Sequence, residues 1–326
     1  EPPAPEYPVY RREIATYVTV PALAHRFSLD MLGSFHDRAG GASDGRQAWG
    51  RLFGFEGSVG STRGDLARQY GRFARRGASY DHKSYGLQAG LDLYRDGGAA
   101  AGFYAGAGEI SAQVDAVHGG RSGKAELAGY SLGGYWVQTA SNGAWFNLVL
   151  QGTRYEGDLD FAAGDSFDPS GWAVAGSVEG GHPFGLGAFV FEPQAQFVVQ
   201  HLDLKGGRDR VASIRYENGE AYYGRLGARL ARTWLAADDR PVTVSGRLNL
   251  WHDFDRDAKT RIATPGGLNP ADFRASLGGT WGQGQLMVSG PLTPAVTAYV
   301  SGDYSFSLDG TDAEGFGGRV GLRVSF

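Results

Sequence analysis

The sequence has no cysteine among its 326 residues, and it has no uninterrupted apolar run as long as a membrane-spanning helix. Without cysteine the chain has neither a disulfide scaffold nor a thiolate metal site, and this composition suits an oxidising compartment. A helix that crosses a bilayer needs about 20 apolar residues, so helical membrane spans are excluded. The formal net charge of −4 gives no bulk attraction for nucleic acid. We expect no metal and no cofactor.

Glycine and aromatic residues are abundant instead. The chain has 53 Gly, 18 Phe, 16 Tyr and 7 Trp. The glycines follow no collagen-like period, and they lie inside apolar and aromatic runs. Glycine within a strand marks a bend, a bulge or a close approach of backbones. The composition therefore predicts a tightly curved sheet that is rich in aromatic side chains.

The first 45 residues differ from the rest. The opening stretch "EPPAPEYP" is acidic and rich in proline, which indicates a linker rather than a signal peptide, and we expect a mature fragment of a longer protein. Leu23, Phe27, Met31 and Phe35 then recur every four residues and predict a helix at about 22–37, with Pro21 in its first turn. The run "RAGGASDG" at 38–45 ends it. We therefore divide the chain into a linker and helix at 1–45 and a β-domain at 46–326.

From residue 46 onward the apolar side chains recur at every second position. In 223–234, for example, Leu226, Ala228 and Leu230 alternate with Arg225 and Arg229, as expected of a strand with one apolar and one polar face. Many of the strands approach the roughly 9–11 residues that cross a bilayer at a tilt. About twelve are predicted, at 48–55, 84–94, 99–113, 125–140, 144–156, 171–182, 189–202, 223–234, 242–251, 271–288, 294–307 and 314–326.

The connections between these strands alternate in length. Short turns at 95–98, 141–143, 183–187, 237–241 and 289–293 are interleaved with mostly longer polar stretches at 58–78, 114–124, 157–169, 203–219, 253–270 and 308–313. An up-and-down antiparallel barrel with tight turns on one rim and long loops on the other produces this alternation, whereas a Greek-key sandwich does not. The sequence therefore predicts an all-β, up-and-down transmembrane barrel of about twelve strands.

The charged residues decide which face of the barrel meets lipid. An arginine that faces lipid at mid-depth costs roughly 2–4 kcal/mol, and a barrel of this size leaves a lumen too wide for side chains alone to fill. We therefore expect the apolar face to lie in lipid and the polar face to line a water-filled lumen. The predicted lumen-lining residues are Glu192, Gln194, Gln196, Arg225, Arg229, Arg247, Arg319 and Arg323.

Several stretches together resemble one family. "SYGLQAGLDLY" (84–94), "GYSLGGYW" (129–136), "EPQAQFVVQHL" (192–202), "GRLGARLARTW" (224–234), "YVSGDYSF" (299–306) and the terminal "GLRVSF" are similar to the translocator domain of autotransporters, the type V secretion proteins of Gram-negative bacteria. The resemblance is greatest to the pertactin and serum-resistance branch of Bordetella. It extends from about residue 10 to the end of the chain.

The resemblance implies a function and a set of sites. It implies an outer-membrane barrel that anchors and exports an upstream passenger domain to the cell surface, without enzymatic activity. It places the N-terminal helix inside the lumen, with pore residues Leu23, Arg26, Phe27, Asp30, Met31 and Phe35. It makes the terminal Phe326, with Val324 and Leu322, a signal read by the barrel-assembly machinery. Periplasmic chaperones, outer-membrane lipid and lipopolysaccharide are the other implied partners, and a monomer is expected.

One property of the family does not transfer. A subgroup cleaves its passenger by cyclisation of an asparagine in the lumen helix, but the first asparagine of this chain is Asn142. Self-cleavage by that chemistry is therefore not expected, and release of a passenger would need a protease or another residue.

Two other functional classes remain open at this stage. An outer-membrane enzyme barrel, a protease or phospholipase, would place His201, His252 and Asp253 near the loop ends of its strands. A soluble β-rich adhesin module is the other alternative.

Two short motifs have a simpler interpretation. "GDSF" at 164–167 resembles an esterase block but lacks its partner motif, and we interpret it as a polar loop. Arg63-Gly64-Asp65 lies in an arginine-rich loop, where we interpret it as a chance occurrence; that loop is either a solvated loop or a short basic helix that contacts lipopolysaccharide phosphates.

Overall fold

The computed structural model describes residues 11–38, 46–60, 78–116, 120–161, 167–236, 240–254, 257–276, 279–309 and 313–326. Two helices come first, α1 (Glu13–Leu32) and α2 (Phe35–Arg38). The strands follow in chain order: β1 (Gln47–Val59), β2 (Ser79–Asp96), β3 (Ala99–Asp115), β4 (Arg121–Thr139), β5 (Trp145–Phe161), β6 (Ser170–Gly181), β7 (Phe184–Leu186), β8 (Phe189–Lys205), β9 (Gly207–Arg208), β10 (Ser213–Tyr216), β11 (Gly219–Leu235), β12 (Pro241–Asp253), β13 (Asp257–Ala263), β14 (Ala271–Ser276), β15 (Thr280–Thr293), β16 (Val296–Ser307) and β17 (Ala313–Ser325).

Twelve of these strands form a closed antiparallel barrel, which confirms the predicted fold class. The order around the barrel is β1, β2, β3, β4, β5, β6, β8, β11, β12, β15, β16 and β17, and the last strand pairs with the first from Gln47↔Ser325 to Val59↔Ala313. Among the described strands, the short β7 pairs only with β8, at the short-turn rim. Because the sheet closes on itself, it leaves no unpaired edge in the membrane.

A second sheet corrects the expected loops. The stretches at 203–219 and 253–270 were expected to be polar loops, but they contribute β9, β10 and β13, which join β14 in a four-stranded sheet. The strand expected at 271–288 is therefore divided between β14 in this sheet and β15 in the barrel. Ile214, Tyr216 and Ile262 of the second sheet are buried in one cluster with α1. We call β9, β10, β13 and β14 the cap sheet.

The first helix is longer than expected. It begins at Glu13 rather than near residue 22, so Pro21 lies in its interior instead of its first turn, and part of the expected linker is helical. Burial explains the difference: α1 is enclosed on nearly all sides, so tertiary packing outweighs the local effect of proline. The helix ends at Gly33, whose φ of 58° stops it, and Phe35 belongs to the separate α2.

Helix α1 runs through the barrel from one rim to the other. Near its start, Thr16 contacts Ser122 at the beginning of β4, beside a long connection. Beyond its end, Phe35 stacks on Trp145 at the beginning of β5, beside a short turn, with 4.3 Å between ring centroids. The chain therefore passes from the long-loop rim to the short-turn rim within the barrel.

The outer face carries apolar side chains between two belts of aromatic rings. Leu132, Leu248 and Leu286 on this face are 66–73% exposed, as expected of side chains that lipid covers. Exposed aromatic residues lie toward the long-loop rim (Tyr85, Tyr130, Trp172, Phe306, Phe316) and toward the short-turn rim (Tyr94, Trp136, Phe146, Phe184, Trp234). No helix in the described part of the chain has both the length and the hydropathy of a membrane span.

Candidate functional site

The half of the barrel interior near the long-loop rim is an apolar core around α1. Leu23 and Phe27 are 1% and 0% exposed, and they pack with Ile110 and Leu127 of the barrel wall. The backbone approaches so closely here that a Cβ on Gly129 would lie 2.2 Å from the Phe27 ring. The expected open, water-filled lumen is therefore not what this half contains.

The other half of the interior is polar, and it receives the end of α1. The last carbonyl groups of a helix have no partner within the helix and carry a partial negative charge. Arg51 Nη2 and Gln88 Nε2 donate to the Met31 carbonyl at 2.6 and 2.8 Å, and Arg38 donates to the Leu32 carbonyl. The helix end is thus bound by a cation and an amide of the barrel wall and by a cation of α2.

Residues 34–38, which we call the latch, extend this contact to several strands. Asp37 is at its centre: its Oδ1 lies 3.1 Å from Arg247 Nη2 on β12, and its Oδ2 lies 3.9 Å from Arg319 Nε on β17. Ser34 donates to Asp37 Oδ2 through both its amide and its hydroxyl. Tyr299 on β16 donates to the Asp37 carbonyl at 2.5 Å. One carboxylate thus connects the latch to the last third of the barrel.

Two further carboxylates bind the latch from other strands. Glu179 on β6 accepts from the Phe35 amide at 2.7 Å and pairs with Arg225 Nη2 at 2.5 Å. Glu192 on β8 lies 2.7 Å from His36 Nε2. Buried charges are stable only when they are paired and hydrogen-bonded, and these carboxylates meet both conditions.

Seven of the eight predicted lumen-lining residues join this network. Gln194 donates to Glu192, Arg229 approaches the same carboxylate at 3.9 Å, and Gln196 bonds the Gly33 carbonyl at 3.3 Å. Arg323 is also buried, at 7% exposure, but it makes no ion pair with any described residue. The network includes Glu192, Gln194, Gln196, Arg225, Arg229, Arg247 and Arg319.

The predicted pore residues of the helix occupy three environments. Leu23, Phe27 and Met31 lie in the apolar core. Arg26 and Asp30 pair along α1 at 3.2 Å, and Arg26 lines a cavity of about 90 Å³ between the helix and the wall. Phe35 lies beyond the helix break, beside a cavity of about 490 Å³ at the short-turn rim.

Sequence reasoning missed the residues that bind the latch most closely. Asp37, Glu179 and Arg51 were not predicted, although each is 3% exposed or less. Strand parity contained a signal for Glu179, because it alternates with the outward-facing Val178 on β6. On β1 the assumption that apolar residues face lipid is wrong, because Trp49 and Phe53 face the interior on the same side as Arg51.

A second polar contact holds α1 at the long-loop rim. Asp209, in the connection between β9 and β10, lies 3.1 Å from Arg11 Nη1 and 3.0 Å from the Tyr17 hydroxyl. Burial raises the pKa of Asp209, but the amides of Val211 and Ala212, Tyr17 and Arg11 outweigh it and hold this pKa below its ordinary value. The cap sheet is therefore joined to the start of α1 through an ionised carboxylate.

The terminal strand has two faces. Leu322, Val324 and Phe326 are 48%, 40% and 68% exposed on the outer face of the barrel. The Phe326 amide donates to the Arg46 carbonyl at 2.9 Å, so the last residue is part of the seam between β17 and β1. The Phe326 ring lies outside the barrel interior.

The residues proposed for an enzyme barrel do not assemble into a catalytic site. His252 on β12 and Phe197 on β8 both pair with Gly224 of β11, which lies between the two strands. His201 lies four residues beyond Phe197 along β8, so the two histidines are not neighbours. His201 contacts Trp172, and His252 bonds Thr280 Oγ1 at 2.8 Å. Within the described ranges, no group of three or more His, Asp or Glu residues has a metal-binding arrangement. Arg63-Gly64-Asp65 and most of "GDSF" lie outside the described residues.

Comparison with known proteins finds similarity to autotransporters and their translocator domains. The autotransporter β-domain family matches residues 48–303. The BrkA autotransporter of Bordetella pertussis is 29% identical over 250 residues, which are 74% of this chain and only 23% of that protein. Two solved structures share the fold. The transport unit of the autotransporter AIDA-I from Escherichia coli has a TM-score of 0.78 at 14% identity, and the match covers 98% of this chain and 100% of that one. The translocator domain of NalP from Neisseria meningitidis has a TM-score of 0.67 at 12% identity, covering 96% and 98%.

Proposed function

The chain belongs to the autotransporter β-domain family, and from this premise we propose that it is an outer-membrane translocator unit that exports and anchors a passenger domain attached upstream of Glu1. One observation carries the proposal. Helix α1 lies inside the barrel and runs from the long-loop rim to the short-turn rim. A polypeptide that entered from the short-turn side would leave its last segment in this position.

We propose that the latch keeps that segment in place. Contacts of Asp37, Glu179 and Glu192 connect residues 34–38 to six strands of the barrel wall, β6, β8, β12, β15, β16 and β17. The apolar core around Phe27 then closes the other half of the barrel. The barrel would thereby act as an anchor for the passenger after export, with its pore closed by its own helix.

The remaining assignments are part of the same proposal. Residues 1–45 are the linker and lumen segment, and residues 46–326 are the barrel. The barrel-assembly machinery and periplasmic chaperones would deliver the chain, lipid and lipopolysaccharide would surround it, and it would act as a monomer. No catalytic residue is proposed, because the polar groups of the interior are used to bind the helix.

The test follows the location of a tag placed upstream of Glu1. In Gram-negative cells that express the chain behind a secretory signal, external protease should remove this tag while the cells remain intact. The matched control carries the same tag in the turn at 141–143 on the short-turn rim, where it should be protected until the cells are lysed. A protected upstream tag on a barrel that shows the heat-modifiable gel shift of a folded barrel would refute export.

A further inference from the structure

Arg232 lies on the lipid-facing side of the barrel, near the short-turn rim. We propose that Arg232, held between the rings of Phe189 and Trp234, binds the phosphate of a glycerophospholipid at this place. The proposal concerns the membrane around the barrel, and it does not depend on passenger export.

The two rings fix the guanidinium group. Arg232 Cζ lies 5.0 Å from the centre of the Trp234 ring and 5.4 Å from the centre of the Phe189 ring. The faces of aromatic rings attract a cation, and tryptophan does so most strongly. A guanidinium held in this way keeps its N–H edge available, and that edge has the spacing to bind two phosphate oxygens at once.

Arg232 differs from the other outward-facing charges of the barrel strands. Lys83 pairs with Glu56 at 3.4 Å, and Arg154 approaches Glu156 at 4.0 Å; both pairs lie toward the long-loop ends of their strands. Arg232 has aromatic contacts only, with no ion pair or hydrogen bond to any residue of the described ranges. Within the described ranges its donors therefore meet no acceptor, and a phosphate in the membrane can bind them.

The depth of Arg232 identifies that acceptor. It lies three residues before the end of β11 at Leu235, which is about 10 Å along the strand. Exposed apolar side chains surround it on the neighbouring strands, including Phe191 and Val244. An arginine is tolerated near the interface of a bilayer but not at its centre, and tryptophan favours the same depth. Phospholipid phosphates lie at this depth, and the apolar flank would contact the acyl chains.

The experiment measures how many lipid molecules the intact barrel retains. The full chain is released from detergent in native mass spectrometry after incubation with phosphatidylglycerol, with diacylglycerol, which lacks the phosphate, or with inorganic phosphate. We expect wild type to retain phosphatidylglycerol and Arg232→Gln to lose roughly fivefold or more of that retention, because a charge-assisted contact is removed. Diacylglycerol should bind both proteins weakly and equally. Retention of inorganic phosphate in place of phosphatidylglycerol would overturn the lipid assignment.

The controls separate this site from charge in general. Arg154→Gln removes an outward-facing arginine near the other rim, and it should leave phosphatidylglycerol retention unchanged. Arg232→Lys keeps the charge but loses the planar group, so it should retain an intermediate amount. Trp234→Leu keeps apolar surface without a ring, and it also should weaken retention, which gives a second variant if Arg232→Gln folds poorly. Equal retention by wild type, Arg232→Gln and Trp234→Leu would refute the proposal.

Discussion

Asp37 and Arg247 form a buried ion pair, with 3.1 Å between Oδ1 and Nη2, although they are 210 positions apart in the sequence. Arg319, which also faces Asp37, comes still later in the chain. The carboxylate that fixes the end of the lumen segment is therefore bound by strands made last. The latch therefore has its full set of partners only in the complete barrel wall.

Replacing Asp37 with asparagine should destabilise the folded barrel strongly. Arg247 and Arg319 would remain buried with less opposing charge, and breaking a buried pair in this way costs roughly 3–5 kcal/mol. The change is measured as a lower temperature for the heat-modifiable gel shift. Asp272→Asn removes an exposed carboxylate of the cap sheet that pairs with Arg261, and it should change stability by about 1 kcal/mol or less. Equal shifts for the two variants would contradict the latch.

Removing residues 11–38 should open the barrel. The deletion takes out α1 and the latch, which fill most of the interior, so single-channel conductance in planar bilayers should rise severalfold. Deletion of residues 1–10 is the matched control, and it should leave conductance at the wild-type level. A barrel without α1 that conducts no better than the full chain would show that the helix does not block the pore.

Gly33→Ala should destabilise the junction between α1 and the latch. Gly33 has φ 58° and ψ −163°, a conformation that residues with a Cβ avoid, and its added Cβ would lie 2.4 Å from Arg51 Nη1. We expect a loss of roughly 1–3 kcal/mol in the free energy of unfolding, measured by denaturant titration in detergent. Gly54→Ala is the control, because its Cβ would meet nothing within 4 Å.

The contact between the cap sheet and α1 should weaken in acid. The pKa of Asp209 lies below its ordinary value of 3.8, so its ionised form stabilises the fold above that pH, and this contribution is lost as the pH falls through the lower, folded-state pKa. Because the chain has no cysteine, Arg12→Cys accepts a single spin label at the start of α1. The label should be immobile at pH 7 and gain mobility below about pH 3.8.

The variant Asp209→Asn provides the comparison for that titration. It keeps the shape of the side chain but cannot ionise, so the label should be mobile at every pH between 7 and 3. A titration of this variant that follows the wild-type curve would assign the acid transition to another group.

Deleting Phe326 should reduce the amount of barrel in the outer membrane without altering the fold of molecules that insert. The ring is 68% exposed and contributes no core contact, so its removal leaves the interior unchanged. Outer-membrane yield and the gel shift measure the two effects separately. Phe326→Tyr keeps an aromatic terminus and should assemble at the wild-type level; normal yield without any aromatic residue would exclude an assembly signal.

The alternation of apolar and polar residues was enough to predict most of the barrel strands. Strands with one apolar and one polar face, such as β11 and β17, were predicted within a few residues of their observed ends, because a closed sheet between lipid and a polar interior imposes a period of two. The cap sheet was not predicted from the sequence, because its strands are short and charged residues are mixed with apolar ones in them. The start of α1 at Glu13 was not predicted, because burial rather than local propensity makes residues 13–20 helical.

The sequence by itself determined that this chain is a membrane barrel with a helix before its first strand, since both properties follow from local periodicity. Only the tertiary structure decided what the helix does there. The partners of Asp37 come from β12, β15, β16 and β17, and no local pattern relates residues so distant in the chain. Barrel closure brings them to one point, and burial away from water makes each charge there require its partner.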